Sequence, residues 1–211
     1  MSDADDDPGL DAAYALKTPD DSRRLYARWA GTYDDDFAGA QDYRLPDAVA
    51  RAYVAAGGEG PVLDVGAGTG LLGRYLADAG IGPVDGTDIS PEMLAVAAGK
   101  RVYRRLFEGD VTGRLEVADA TYAGVTSSGT FTCGHVGPEA IHELLRLAAP
   151  GALFVLSVNA AHWGPAGFAA TFAALGDRIE GLELPAVPIY GDGGDPAHRD
   201  DRALLATFRK A

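Results

Sequence analysis

The stretch Val62-Leu63-Asp64-Val65-Gly66-Ala67-Gly68-Thr69-Gly70-Leu71-Leu72-Gly73 decides the fold. Apolar residues on both sides of Asp64 read as a buried strand. Glycine at 66, 68 and 70 reads as a turn, and Leu71-Leu72 opens a helix. Glycine permits positive φ and lets a ligand lie against the main chain. Free N–H groups at the start of the following helix favour an anionic group such as a carboxylate. The stretch is therefore a βα unit that presents bare backbone to a small ligand.

Outward from this unit, strands and helices alternate. The reading places strands at 62–65, 83–88, 102–108, 122–127 and 153–158, and helices at 71–79, from Ser90-Pro91-Glu92 onward, from Gly137 to Leu147, and at 164–175. Ser90 suits a helix N-cap and Pro91 the first helical position. Repeated strand–helix units imply a parallel sheet with helices on both sides, a doubly wound α/β fold of the Rossmann-like kind. The tail reads as two antiparallel strands, 182–190 and 202–209, around the turn-rich Gly191-Asp192-Gly193-Gly194-Asp195-Pro196. Upstream, residues 10–56 carry helical periodicity, with Leu25, Trp29 and Tyr33 on one face. Residues 1–9 read as a disordered acidic tail.

The 211 residues suffice for one α/β domain with its own core. The formal net charge of −13 would repel a phosphate backbone, so a nucleic-acid partner is not expected. The lone Cys133 makes no internal disulfide and no zinc-type spacing, and no metal site is expected. No apolar run reaches membrane-spanning length and no signal-peptide pattern opens the chain, so a cytoplasmic protein without a membrane partner is expected.

Asp88 follows Gly66 by 22 residues and Asp110 follows Asp88 by 22 more. Both fall near the carboxyl ends of strands, where open α/β sheets bind ligands. A carboxylate after the second strand can accept from both hydroxyls of a ribose, and one after the third from an exocyclic amine such as that of adenine. A dinucleotide loop needs G-x-G-x-x-G, but the third glycine position is Leu71, which disfavours a nicotinamide-dependent dehydrogenase.

Asp64-Val65-Gly66-Ala67-Gly68-Thr69-Gly70 resembles the first motif of class I S-adenosylmethionine-dependent methyltransferases. Thr87-Asp88-Ile89-Ser90-Pro91-Glu92-Met93-Leu94 and Gly109-Asp110-Val111 resemble their second and third. Tyr26–Asp34 and Gly134-His135-Val136 are similar to the branch that includes the methyltransferase-like protein of the Williams–Beuren region. The resemblance implies a seven-stranded, mostly parallel sheet ending in an antiparallel hairpin. It implies one methyltransferase domain over 10–211, with a helical cap at 10–58 and a Rossmann-like core at 61–211. The implied cofactor is S-adenosylmethionine, with S-adenosylhomocysteine as product.

The resemblance also assigns roles. Asp64 would order the loop and the ligand's amino end, and Gly66, Ala67, Gly68 and Gly70 would face the methionine part and ribose. Asp88 would hold the ribose, Ile89 and Met93 would stand beside the adenine, and Asp110 and Val111 would meet the adenine amine. Trp29 and Tyr33 would close over the cofactor; on pattern alone, residues at such helical spacing are more often core than cofactor contacts. The acceptor side lies beyond the fourth and fifth strands, where Ser127, Ser128, Asn159 and His162 are candidate substrate contacts. His135 is a candidate general base, with a structural role in its own loop as the plainer reading. The expected activity is methyl transfer to a small-molecule acceptor by in-line displacement. The rival is a cofactor-binding protein without catalysis, serving as a sensor or partner subunit.

Overall fold

The computed structural model describes Leu16 and residues 18–211. The expected acidic tail and the cap before residue 16 lie outside the described residues. Helix α1 (Pro19–Trp29) starts at a capping box: the Asp21 amide donates to Thr18 Oγ1 at 3.2 Å and the Thr18 amide to Asp21 Oδ2 at 3.1 Å. A wide π-helical turn, Tyr33–Gly39, and helix α2 (Leu45–Ala55) complete the cap. Pro46 sits in the first turn of α2, where its missing N–H costs nothing.

The core then runs β1 (Val62–Val65), α3 (Leu71–Asp78), β2 (Val84–Asp88), α4 (Pro91–Lys100), β3 (Arg105–Glu108) and β4 (Tyr122–Phe131). It continues with α5 (Ala140–Leu147), β5 (Ala148–Asn159), α6 (Ala160–Trp163), α7 (Phe168–Leu175), β6 (Ile179–Glu183), β7 (Ala186–Pro188) and β8 (Arg202–Lys210). The sheet order is β3-β2-β1-β4-β5-β8-β6, with β7 also on β8. The β1–β5 pairings are parallel; those to β8 are antiparallel. β6 and β7 follow one another along the same edge of β8, so eight segments fill the seven rows expected.

Several expected elements differ in detail, among them β5, which begins at Ala148 where 153 was expected. The first arm of the tail hairpin begins at Ile179, three residues early, and is broken around Pro185, which lacks the N–H a ladder needs. The helix expected at 164–175 begins only at Phe168, after Gly167 at φ +87°, and a separate short helix, Ala160–Trp163, precedes the expected span. β3 is shorter than 102–108, and β4 runs past 127 to Phe131, across a shift in its register with β5 between Ser127 and Phe131.

Alternation along the strands divides the core. Leu63, Phe154 and Ala206 face α5 and α7 on one side; Val62, Val155 and Leu205 face α2 and α3 on the other. Burial on both faces is what makes these strands continuously apolar. Strand order reverses between β1 and β4, so the connections leaving these strands diverge and open a crevice at their carboxyl ends. The register aligns that edge: Val65 lies opposite Thr87 on one side and Ser127 on the other. Gly66, Asp88 and Ser128 therefore leave the sheet side by side.

Candidate active site

A cavity of about 190 Å³ opens over this edge. Its floor is the glycine turn. Gly66, Gly68 and Gly70 all take positive φ, +66°, +53° and +89°. Each glycine answers a different demand. A Cβ on Gly66 would stand 1.9 Å from Thr130 Oγ1, which donates to the Val65 carbonyl at 3.0 Å. A Cβ on Gly70 would meet the Tyr103 ring at 3.0 Å, on the underside of the loop. Gly68 has no protein atom closer than 4.0 Å to that position, so its bare face is open to the cleft.

Asp88, at the end of β2, accepts from the Gly68 amide at 2.8 Å and the Ser90 amide at 2.9 Å. Burial raises its carboxyl above the ordinary carboxylate range, and those two N–H donors oppose the rise. Asp64 lies below the turn and is 0% exposed. Burial pushes it up to about 7, against the pull of the Tyr103 hydroxyl, which donates to Oδ2 at 2.7 Å. Its Oδ1 has no hydrogen-bond partner.

The roof is aromatic. Trp29 and Tyr33 meet at 5.2 Å between ring centroids, Tyr33 and Phe37 at 4.9 Å, and Phe37 and Tyr43 at 5.4 Å. Burial holds the Tyr33 hydroxyl well above its usual pKa, so it stays protonated. The roof is tied to the floor by Asp34. This carboxylate takes Lys100 Nζ on Oδ2 at 2.6 Å and the Thr69 hydroxyl on Oδ1, while the same ammonium donates to the Thr69 carbonyl at 2.6 Å.

Most of the expected site residues converge on the cavity. Trp29, Tyr33, Gly66, Ala67, Gly68, Asp88, Ile89, Met93, Asp110 and Val111 line it, as do His135, Ser128 and Asn159. Four stand apart. Asp64 and Gly70 support the loop from beneath. Ser127 is buried and donates to the Val65 carbonyl at 2.8 Å. His162 stands against the Phe168 ring at 5.6 Å. Asp110 lies two residues past β3, where Oδ1 accepts from the Thr112 amide and hydroxyl at 2.9 and 2.7 Å.

Sequence reading missed Tyr26, Tyr43, Asp34, Lys100 and Tyr103. Tyr26 had a signal, since it precedes Trp29 by three and Tyr33 by seven, positions that share a helix face. The Asp34–Lys100 contact joins residues 66 apart and leaves no local trace.

A methyltransferase domain model matches residues 62–151, from β1 through the start of β5. Methyltransferase-like protein 27 of Homo sapiens is 34% identical over 148 residues, 67% of this chain and 60% of that protein. The chain belongs to the class I S-adenosylmethionine-dependent methyltransferases. Demethylmenaquinone methyltransferase of Renibacterium salmoninarum is similar at 33% identity over 144 residues, again 67% of this chain and 60% of the relative. The chain thus spans three-fifths of each relative's length. The structure of a TehB-like S-adenosylmethionine-dependent methyltransferase from Corynebacterium glutamicum shares the fold, with a TM-score of 0.58 and 24% identity over 92% of this chain and all of that one.

The family's cofactor is S-adenosylmethionine, and the cleft fits it in two respects. The open face beside Gly68 is a cradle that a side chain would fill. Asp88 keeps carboxylate lone pairs beyond the two amides it already holds, as ribose hydroxyls require. Among the described residues, no helix is long and apolar enough to cross a membrane, and no cluster of His, Cys, Asp and Glu is placed to hold a metal ion.

Proposed function

We propose that this chain transfers a methyl group from S-adenosylmethionine to a small-molecule acceptor. Asp88 would take the ribose hydroxyls, the Gly66–Gly68 backbone the methionine part, and Ile89, Asp110 and Val111 the adenine. Trp29 and Tyr33 would cover the bound cofactor, and His135, Ser128 and Asn159 would face the acceptor. When bound, the cofactor supplies an electrophilic methyl on a good leaving group, so the chain's task is to align the acceptor, exclude water and receive a proton.

The observation that carries the reading is the register of β1, β2 and β4, which sets Gly66, Asp88 and Ser128 around one cavity beneath an aromatic roof. A roof of packed rings tied to the floor by Asp34 suits a molecule that enters the cleft whole. The small-molecule acceptor also agrees with the chain's net charge of −13, which disfavours nucleic acid. The likeness to a demethylmenaquinone methyltransferase adds support for an acceptor of modest size.

Calorimetric titration with S-adenosylmethionine and S-adenosylhomocysteine, with NAD as control, tests the reading. Micromolar binding of the first two, lost in Asp88→Ala, is the expected result. Absence of both from the folded protein would sink it. Binding without turnover of any acceptor would instead favour the sensor reading.

A further inference from the structure

A buried polar atom without a partner calls for an explanation. Among the described residues that line the cavity, two hydroxyls are buried with no hydrogen-bond partner, Ser22 Oγ and Thr87 Oγ1. Thr87 is covered by backbone: a Cβ on Gly109 would stand 2.9 Å from its Oγ1. Ser22 belongs to the cap and is only 5% exposed. It heads the stripe Ser22, Leu25, Tyr26 and Trp29 on one face of α1, a stripe otherwise apolar or aromatic. Serine near a helix start usually serves as a cap. Here Thr18 and Asp21 already form the capping box, and the Ser22 amide donates to the Thr18 carbonyl at 3.2 Å as an ordinary helical residue. Its hydroxyl is left without a structural task.

The neighbouring residue shows where this hydroxyl stands. Arg23 Nε donates to the Ile89 carbonyl at 3.2 Å, and the same guanidinium reaches Glu108 at 3.5 Å. These contacts hold the start of α1 across the ends of β2 and β3, the corner of the cavity lined by Ile89, Gly109 and Asp110. Side chains at this corner are mostly acceptors. The carboxylates of Asp88 and Asp110 accept, and the Thr112 hydroxyl is already given to Asp110 at 2.7 Å. An adenine presents both kinds of group: its exocyclic amine donates and its ring nitrogens accept. Carboxylates suit the amine and leave the ring nitrogens in need of donors. The Ser22 hydroxyl is a spare donor on the cap side of that corner.

We propose that Ser22 is a specificity residue for the cofactor's base, with its hydroxyl donating to a ring nitrogen of the adenine. This rests on the methyltransferase reading above. The hydroxyl turns about one torsion with three staggered positions, so it can swing to the base while α1 keeps its contacts. The cap then does more than cover the cleft, because a base with C–H at that position would leave the buried hydroxyl unpaired.

The test titrates the full chain and Ser22→Ala with S-adenosylhomocysteine and with its 1-deaza, 3-deaza and 7-deaza analogues, each of which replaces one ring nitrogen by C–H. Binding of S-adenosylhomocysteine to the unsubstituted protein is measured first, and its absence overturns the methyltransferase reading together with this one. With binding established, Ser22→Ala is expected to weaken S-adenosylhomocysteine about fivefold. One deaza analogue is expected to bind the unsubstituted protein about fivefold more weakly than its parent, and to match the parent within about twofold in Ser22→Ala. The position of that analogue identifies the nitrogen. If every analogue keeps the same ratio to the parent in both proteins, Ser22 reads no ring nitrogen and the inference falls, while the methyltransferase reading stands. Urea unfolding separates the remaining alternative. Ser22→Ala deletes an atom that bonds nothing in the protein, so its stability is expected to be unchanged or higher. Lower stability with equal losses for all four ligands would assign Ser22 to the packing of the cap and overturn its role at the base.

Discussion

The floor and the roof of the cleft are built differently. In the floor, Thr130 fills the space a Gly66 side chain would need, and Tyr103 packs under Gly70 and bonds Asp64. Thr130 lies on β4, and Tyr103 packs against the core between the sheet and helices α2 and α3. In the roof, Tyr26, Trp29, Tyr33 and Phe37 pack chiefly on one another and on the cap, and they reach the glycine loop through Asp34. A change in the floor should therefore cost stability and ligand binding together. A change in the roof should alter binding while the sheet stays intact.

Gly66→Ala puts the largest strain on this contrast. The φ of +66° disfavours any side chain, and the new Cβ collides with Thr130. The expected loss is about 3 kcal/mol of stability, with S-adenosylhomocysteine binding abolished. Gly80→Ala is the companion, since Gly80 has φ +75° with nothing within 4 Å of its Cβ. It should cost about 1 kcal/mol and leave binding unchanged. Equal losses in the two variants, by chemical denaturation and calorimetry, would break the argument that the floor couples packing to binding.

Asp64 gives the floor a pH signature. Its folded pKa, about 7, lies above the ordinary carboxylate value of 3.8 taken for the unfolded chain. The folded state therefore holds a proton that the unfolded state releases, and the stabilisation from this group is full below pH 4. It is lost as pH rises toward 7, by a few kcal/mol in all. Asp64→Asn should flatten this part of the stability profile, measured by urea unfolding from pH 4 to 8. An unchanged slope would mean that another group carries it.

Asp34→Asn probes the roof. Its partner Lys100 has a side chain only 18% exposed and would keep the Thr69 carbonyl but lose its counter-charge. A partly exposed pair contributes about 1 kcal/mol to stability. The larger effect should be on the ligand: S-adenosylhomocysteine affinity falling about tenfold, chiefly through faster release, as the roof loosens. A loss of stability without any change in release rate would mean that the pair staples the cap and has no part in holding the cofactor.

The same division explains what could be read from the chain alone. Floor residues announce themselves because a βα turn compresses its needs into a few neighbouring positions, and strand register then carries Gly66, Asp88 and Asp110 to one edge at regular spacing. Ser90 and Pro91 declared their helix in the same local way. The roof has no such grammar. Tyr43 reaches Ser128 and bridges to Tyr190 because the cap folds back over the sheet, and the partners are far apart in sequence. The break at Pro185 has a local signal, the missing N–H of proline, whereas the early start at Ile179 is set by pairing with Lys210, 31 residues away.

Ser90 offers the finest cut through the floor, because its side chain and its backbone serve different ends. The hydroxyl caps α4, accepting from the Met93 amide at 3.2 Å, while the backbone amide donates to Asp88. Ser90→Ala removes the first and keeps the second. Loss of an N-cap oxygen costs about 1 kcal/mol. If Asp88 is positioned by the backbone, S-adenosylhomocysteine affinity in this variant should stay within twofold of the unsubstituted protein. A tenfold weakening would mean that the first turn of α4 must be capped for Asp88 to keep its place, and that even the floor depends on a helix end for its geometry.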